Sequence, residues 1–180
     1  MKRAEFDHAI RAAGSILGEN EILVIGSQAI HGSISGDLPA EAERSVEVDI
    51  VAFDDAAARK ADLIDGSIGE ASTFHETFGY YAEGVSETTA VLPEGWRDRL
   101  VRYESPMTNG VVAWCLELHD LWLSKAVAGR PKDHEFCRAL ANNGLVNEDI
   151  LTTRLGQVPD LAESVRAAIT TLIDSTSPSR

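Results

Sequence analysis

Cysteine is nearly absent from this 180-residue chain: Cys115 and Cys137 are the only two, and their separation matches neither a metal-binding nor a redox motif. A disulfide-stapled fold and a thiolate zinc site are thereby excluded. Both thiols are expected to be buried as small apolar side chains in a reducing cytoplasm. Long hydrophobic runs are missing too, and nothing approaches the roughly 20 apolar residues of a membrane span. The opening MKRAEFDHAIRAAG lacks the apolar centre of a secretion signal, so a cytoplasmic protein without membrane contact is expected. Bases are scarce: 16 Lys and Arg stand against 29 Asp and Glu, a net charge of -13. A surface of that sign repels phosphate backbones, which disfavours broad nucleic-acid binding and leaves room only for a locally basic groove. What is present is ordinary for a globular protein, 44% apolar and 25% charged residues, which excludes wholesale disorder. The length fits one domain, or one domain with a small helical appendage.

Apolar spacing predicts a helix over 3–17, with Phe6, Ile10, Ala13 and Leu17 on one face and Gly18 at its end. Residues 21–25 (EILVI) read as a short buried strand, and Gly26-Ser27 turns the chain into a short helix, QAIHGSI. A loop is expected over 33–43. Residues 45–53 (SVEVDIVAF) form the clearest strand, followed by a helix at 56–64. From about 74 to 115 the composition turns β-rich, with strands expected at GYYAEGV, TTAVL, RLVRY and GVVAWCL. Helices follow at 118–127, ended by Gly129, and at 131–141, with Pro131 suited to the first turn. Two more are expected near 147–155 and 160–174, and STSPSR at 175–180 reads as a flexible tail. The order indicates an α+β (α/β) fold, a mixed β-sheet flanked by helices with a C-terminal helical bundle, divided into a core at 1–115 and a helical region at 116–174.

Four constellations carry chemistry. Gly26-Ser27, between a strand and a helix, offers backbone N–H groups and a helix N-terminus to an anion such as phosphate; the plain alternative is a structural turn. In the strand at 45–53, alternation sends Val46, Val48 and Ile50 one way and Glu47 and Asp49 the other. Those carboxylates lie about 7 Å apart along the strand and repel by about 2 kcal/mol at an effective dielectric near 20. A divalent cation would relieve that repulsion, Mg²⁺ in particular, which takes one or two carboxylates plus substrate phosphates; an exposed acidic edge, or pairing with Arg44, would relieve it equally. Lys125 shares a helical face with Leu118, Leu121 and Trp122. It either lays its stem along the core or places an ammonium in a cleft for phosphate. Asp133 likewise falls on the stripe of Phe136, Cys137 and Leu140, flanked by Arg130 and Lys132 in the small basic island GRPKD. His31 reads as a structural histidine, and His75, His119 and His134 have no ligand spacing.

The succession of VIGSQAIHG at 24–32, RSVEVDIV at 44–51 and HDLWLSKAVAGRPKD at 119–133 resembles the nucleotidyltransferase superfamily (DNA polymerase β-like), and within it a branch allied to the AbiEii-type abortive-infection toxins. With YYAEGV and LPEGWRDRLV the resemblance covers most of residues 20–145. It implies a nucleotidyltransferase-like core in which Gly26 and Ser27 hold nucleotide phosphates and Glu47 and Asp49 bind Mg²⁺. Lys125 would then contact phosphate and Asp133 lie in or near the cleft. The implied reaction passes a nucleotidyl group from an NTP to an acceptor that is RNA, protein or a small molecule. The implied setting is a toxin–antitoxin system with a cognate antitoxin as partner. The chain departs from the family in three ways: Glu47 stands where Asp is commoner, the interval from Ser27 to Glu47 is long, and no third carboxylate is evident, Glu76 and Glu83 being the candidates. The alternative is therefore a catalytically degenerate member that binds nucleotide or a partner. If RNA is the acceptor, Arg97, Arg99, Arg102, Arg130 and Lys132 must share one face.

Overall fold

The structure is a computed structural model of the chain, described over residues 1–175. The tail expected at 175–180 therefore lies, Ser175 apart, outside the described residues. Helix α1 spans Arg3–Leu17 and buries Phe6, Ala9, Ile10 and Ala13, the face its spacing predicts. Gly18 ends it in the left-handed conformation, at φ 67°, which glycine adopts without steric cost. Strand β1 (Glu21–Val24) leads through a 3-10 turn at Ser27–Ala29 into the single helical turn α2 (Ile30–Ser33). A second short turn, α3 (Ala40–Glu43), interrupts the stretch expected to be loop throughout, and β2 (Glu47–Val51) follows.

Helix α4 runs over Arg59–Ile68, later and longer than the expected 56–64. Asp55 delays its start by accepting hydrogen bonds from the backbone N–H groups of Lys60 and Ala61. Next comes α5 (Thr73–Phe78), inside the region expected to be β-rich. Ser72 caps its N-terminus by accepting from the His75 N–H, and Gly79 closes it at φ 79°. Six residues are too few for a hydrophobic period to show, so only the caps mark this helix.

Strands β3 (Tyr81–Gly84), β4 (Val101–Tyr103) and β5 (Val112–Cys115) fall where expected. The strand expected at TTAVL is absent: Glu87–Thr89 is a 3-10 turn and the residues after it pair with no strand. Its β-branched residues favour extended backbone, but a strand needs a ladder partner, and this segment joins neither edge of the sheet.

The sheet has the order β3-β2-β1-β5-β4 and is mixed. Strands β1 and β5 run parallel, as do β2 and β3, while β1–β2 and β4–β5 are antiparallel. Helices α6 (Leu118–Ala128), α7 (Pro131–Asn142), α8 (Glu148–Leu155) and α9 (Glu163–Asp174) complete the α+β architecture. Among the described residues, none of the helices is long and apolar enough to cross a membrane. The core is one cluster that joins Phe6 and Ile10 of α1 to Ile22, Leu23 and Val24 of β1, to Leu121 and Trp122 of α6, and to Leu140 and Ile173.

Two polar features fix the later helices against this core. The Trp122 indole donates to the Cys137 carbonyl at 2.9 Å, locking α6 to α7. Both cysteines are unpaired and buried, as expected. Around the N-terminus of α6, fully buried Asp120 accepts from Arg99 at 2.8 and 3.1 Å and from Arg154 of α8 at 3.1 Å, while Glu117 pairs with Arg154 and His119. Removing one member of such a network leaves a buried charge uncompensated, at a cost of about 3–5 kcal/mol.

Candidate active site

The antiparallel pairing of β1 with β2 brings the end of β1 beside the middle of β2, where the Ile25 N–H donates to the Asp49 carbonyl at 3.2 Å. Within β2 the expected alternation holds, with Val48 and Ile50 in the core and Glu47 and Asp49 on the opposite side, half-buried; Val46, expected to share the core face, precedes the strand and is exposed at the cleft. The Asp49 carboxylate lies on the Cα of Gly26; a Cβ at that position would fall 1.4 Å from Asp49 Oδ2. Gly26 has φ -84° and ψ -170°, open to any residue, so the site requires glycine for space rather than for conformation.

The helix expected after Gly26-Ser27 is present but short, the 3-10 turn at Ser27–Ala29 running directly into α2, so few peptide dipoles sum at its start. What the turn supplies is room for Asp49 next to Ser27.

The parallel register of β2 and β3 sets Asp49 opposite Glu83 and Glu47 opposite Tyr81. Carboxylate oxygens of Glu47, Asp49 and Glu83 consequently lie within 4.8 Å of one another. Of the two candidates for a third acid, Glu83 is thus brought to the pair; Glu76 is exposed on α5 and does not line the cleft. Tyr81, which sequence reasoning did not single out, donates its hydroxyl to Glu47 Oε2 at 3.0 Å.

Crowding three acids perturbs all of them. Burial, then the charge of Glu47, pushes Asp49 up to about 6, with Lys125 pulling part of the way back. A hydrogen bond shared with Glu47, together with burial, raises Glu83 to about 7. Burial acts to raise Glu47 as well, but hydrogen bonds from Glu83, Tyr81 and Asp49 outweigh it and hold Glu47 below its ordinary range. Two of the three, Asp49 and Glu83, thus hold their protons to higher pH than ordinary carboxyls, because burial and the neighbouring carboxylates disfavour their charged forms. An all-oxygen donor set of this kind matches a hard divalent cation such as Mg²⁺.

These acids form one wall of a cleft of about 900 Å³ that is also lined by Gly26, Ser27, Lys125, Arg130, Lys132 and Asp133. Gly129 closes α6 at φ 66° and Arg130 and Pro131 start α7 immediately after it, so the last turn of one helix meets the first turn of the next. Lys125 Nζ then lies 3.9 Å from Asp133 Oδ1. Asp133, almost fully buried, also accepts from Arg130 Nε at 2.6 Å and, as a helix cap, from the Arg130 backbone N–H at 3.3 Å. Asp133 therefore faces the two cations rather than the acid trio. All six residues expected in the site, Gly26, Ser27, Glu47, Asp49, Lys125 and Asp133, line this one cleft.

Other expectations are corrected. Arg44 pairs with Glu135 rather than Glu47. Arg97, Arg99 and Arg102, offered as an RNA-binding face, are paired with Glu87, Asp120 and Glu104 and lie outside the cleft; Arg130 and Lys132 line it. His31 is structural, as expected: it is buried against Phe6 with Nε2 3.2 Å from the Met1 carbonyl, and burial lowers its pKa to about 4.

No curated protein and no solved structure matches this chain. One family does, its sequence profile spanning residues 4–168, and that span includes every residue of the cleft. The chain belongs to the family described as nucleotidyltransferase of unknown function (DUF6036), and so to the nucleotidyltransferase superfamily.

Proposed function

We propose that the chain is an active, divalent-metal-dependent nucleotidyltransferase, using Mg²⁺ to pass a nucleotidyl group from an NTP to a hydroxyl acceptor. The observation that carries this reading is the convergence of Glu47, Asp49 and Glu83. A degenerate, binding-only role rests on the lack of a third acid, and Glu83 supplies one. The metal, held by the three carboxylates, would neutralise charge on the triphosphate and on the attacking and leaving oxygens.

The chain's own residues do the rest. Gly26 makes room for the Asp49 carboxylate, and Ser27 beside it lines the cleft where phosphate oxygens would lie. Lys125, Arg130 and Lys132 meet the triphosphate from the facing wall. Asp133 serves as their anchor, fixing Lys125 and Arg130 while staying clear of the reacting atoms. The acceptor oxygen forms a bond to the α-phosphorus as the bond to the bridging oxygen of the leaving pyrophosphate breaks. The proton of the acceptor hydroxyl passes to a carboxylate oxygen of the trio, Glu83 being the most exposed of the three.

The acceptor we favour is a protein or small-molecule hydroxyl. The net charge of -13 and the pairing of Arg97, Arg99 and Arg102 with acids leave no broad basic face for RNA among the described residues. The likeness to AbiEii-type toxins extends the proposal to a cytoplasmic toxin restrained by a cognate antitoxin.

Calorimetry with ATP, GTP, CTP and UTP in the presence of Mg²⁺ tests the core of this reading. Binding of at least one nucleotide, with transfer abolished in a folded Asp49→Asn variant, is expected; silence from all four refutes it. The toxin role predicts growth arrest on expression that Asp49→Asn relieves.

A further inference from the structure

We infer that Tyr81 is a positioning residue: it holds Glu47, the longer of the two acids on β2, in the orientation needed to share a metal with Asp49 and Glu83. This rests on the metal-site reading above and adds to it a residue outside the acid trio.

Glu47 has one more methylene than Asp49 on the same strand, hence one more free torsion and a carboxylate less fixed relative to the strand. Burial restrains only part of it, since Glu47 is half-buried. Without another contact its carboxylate would sample several rotamers, and a metal would have to select one of them at the expense of affinity.

The restraint comes from the neighbouring strand. Tyr81 stands directly opposite Glu47 in the parallel register, so both side chains emerge on the same side of the sheet. Its hydroxyl donates to Glu47 Oε2 at 3.0 Å, which leaves Oε1 unengaged by tyrosine. Fixing one carboxylate oxygen in order to orient the other is how outer-shell partners act on metal ligands.

Tyr81 is itself braced. Its ring lies against the His75 imidazole, with centroids 4.7 Å apart, and His75 Nδ1 accepts from the Ala71 N–H at 3.2 Å. Helix α5 thereby fixes the ring that fixes the glutamate.

The test is Mn²⁺ binding to the full chain, followed by electron paramagnetic resonance, in the native protein, Tyr81→Phe, Glu47→Gln and the double variant. Phenylalanine keeps the ring against His75, so the thermal midpoint is expected to stay within a few degrees of native. Affinity for Mn²⁺ is expected to fall roughly tenfold, the lower end of the range for losing an outer-shell partner. If Tyr81 acts through Glu47, the same substitution in the Glu47→Gln background changes affinity by less than about twofold. Native affinity in Tyr81→Phe, or an equal loss in both backgrounds, overturns the inference while leaving the metal site standing. A native chain that binds no Mn²⁺ refutes the metal-site reading and this inference with it.

Discussion

Substituting Gly26 by alanine separates folding from function more sharply than any change to an acid, because it adds one methyl and removes no charge. The added Cβ would lie 1.4 Å from Asp49 Oδ2, 2.3 Å from its Cγ and 2.8 Å from its Cβ. Rotating χ1 of Asp49 carries away the first two atoms but not the third. The carboxylate must therefore leave its place, and the β1 and β2 backbones must also part by a few tenths of an ångström. Gly26 lies in an ordinary backbone region, so no conformational strain adds to the contact. Overpacking of this kind costs about 1–3 kcal/mol, which for a chain of this length lowers the thermal midpoint by roughly 3–10 °C. The effect on the site is far larger, since the most buried acid of the trio is displaced. Metal affinity should drop by at least about 100-fold, the upper end of what disturbing an outer-shell partner costs. Thermal unfolding and a Mn²⁺ titration on the same samples read the two effects separately. Gly36→Ala serves as control, because its Cβ would meet nothing within 4 Å. A folded Gly26→Ala protein that binds Mn²⁺ as tightly as the native chain would refute the reasoning that this glycine exists to admit Asp49.

Two further outcomes follow from the same geometry. Asp49 and Glu83 carry raised pKa values, about 6 and about 7 against ordinary values of 3.8 and 4.5, so the metal-free fold is favoured where both are protonated and loses that stability as pH rises through 4 to 7. Thermal unfolding between pH 5 and 8 should show a midpoint that falls with pH and is restored by Mg²⁺, with a flatter slope in Asp49→Asn; equal slopes in the two proteins would contradict the assignment. Asp133→Ala should cost about 3 kcal/mol and weaken NTP binding, because Lys125 and Arg130 both lose their anchor; Asp120→Ala, in the buried network around Arg99 and Arg154, should cost as much stability while leaving NTP affinity unchanged. Unfolding and nucleotide calorimetry on the pair decide it.

How far the sequence carries depends on how local the cause is. The alternation in VEVDIV places Glu47 and Asp49 on one side of β2 without any knowledge of the neighbouring strands. Lys125 and Asp133 reach the cleft because each shares a helical stripe with core residues and Gly129 turns one helix directly into the next. Glu83 and Tyr81 are different. Both fall in YYAEGV and Glu83 is one of two candidates for a third acid, but no local pattern chooses it over Glu76 or singles out Tyr81; they reach the site because β3 pairs with β2 in a parallel register that sets Asp49 against Glu83 and Glu47 against Tyr81. That register is a property of the assembled sheet. The same reason explains the failure at TTAVL, where extended propensity found no ladder to join, and at Arg97, Arg99 and Arg102, whose acidic partners reach them only through the fold. Helix α5 is written in its caps, Ser72 and Gly79, but too briefly for a period.

The proposed activity stands or falls on whether three carboxylates on adjacent strands hold one metal in a cleft that admits the nucleotide. A crystal structure of the chain with a non-hydrolysable NTP and Mg²⁺ decides this without intermediaries. The expected result is an ion with oxygens of Glu47, Asp49 and Glu83 at about 2.0–2.1 Å, and phosphates lying between Ser27 and Lys125. An ion coordinated without Glu83, or a nucleotide bound away from this cleft, would contradict it.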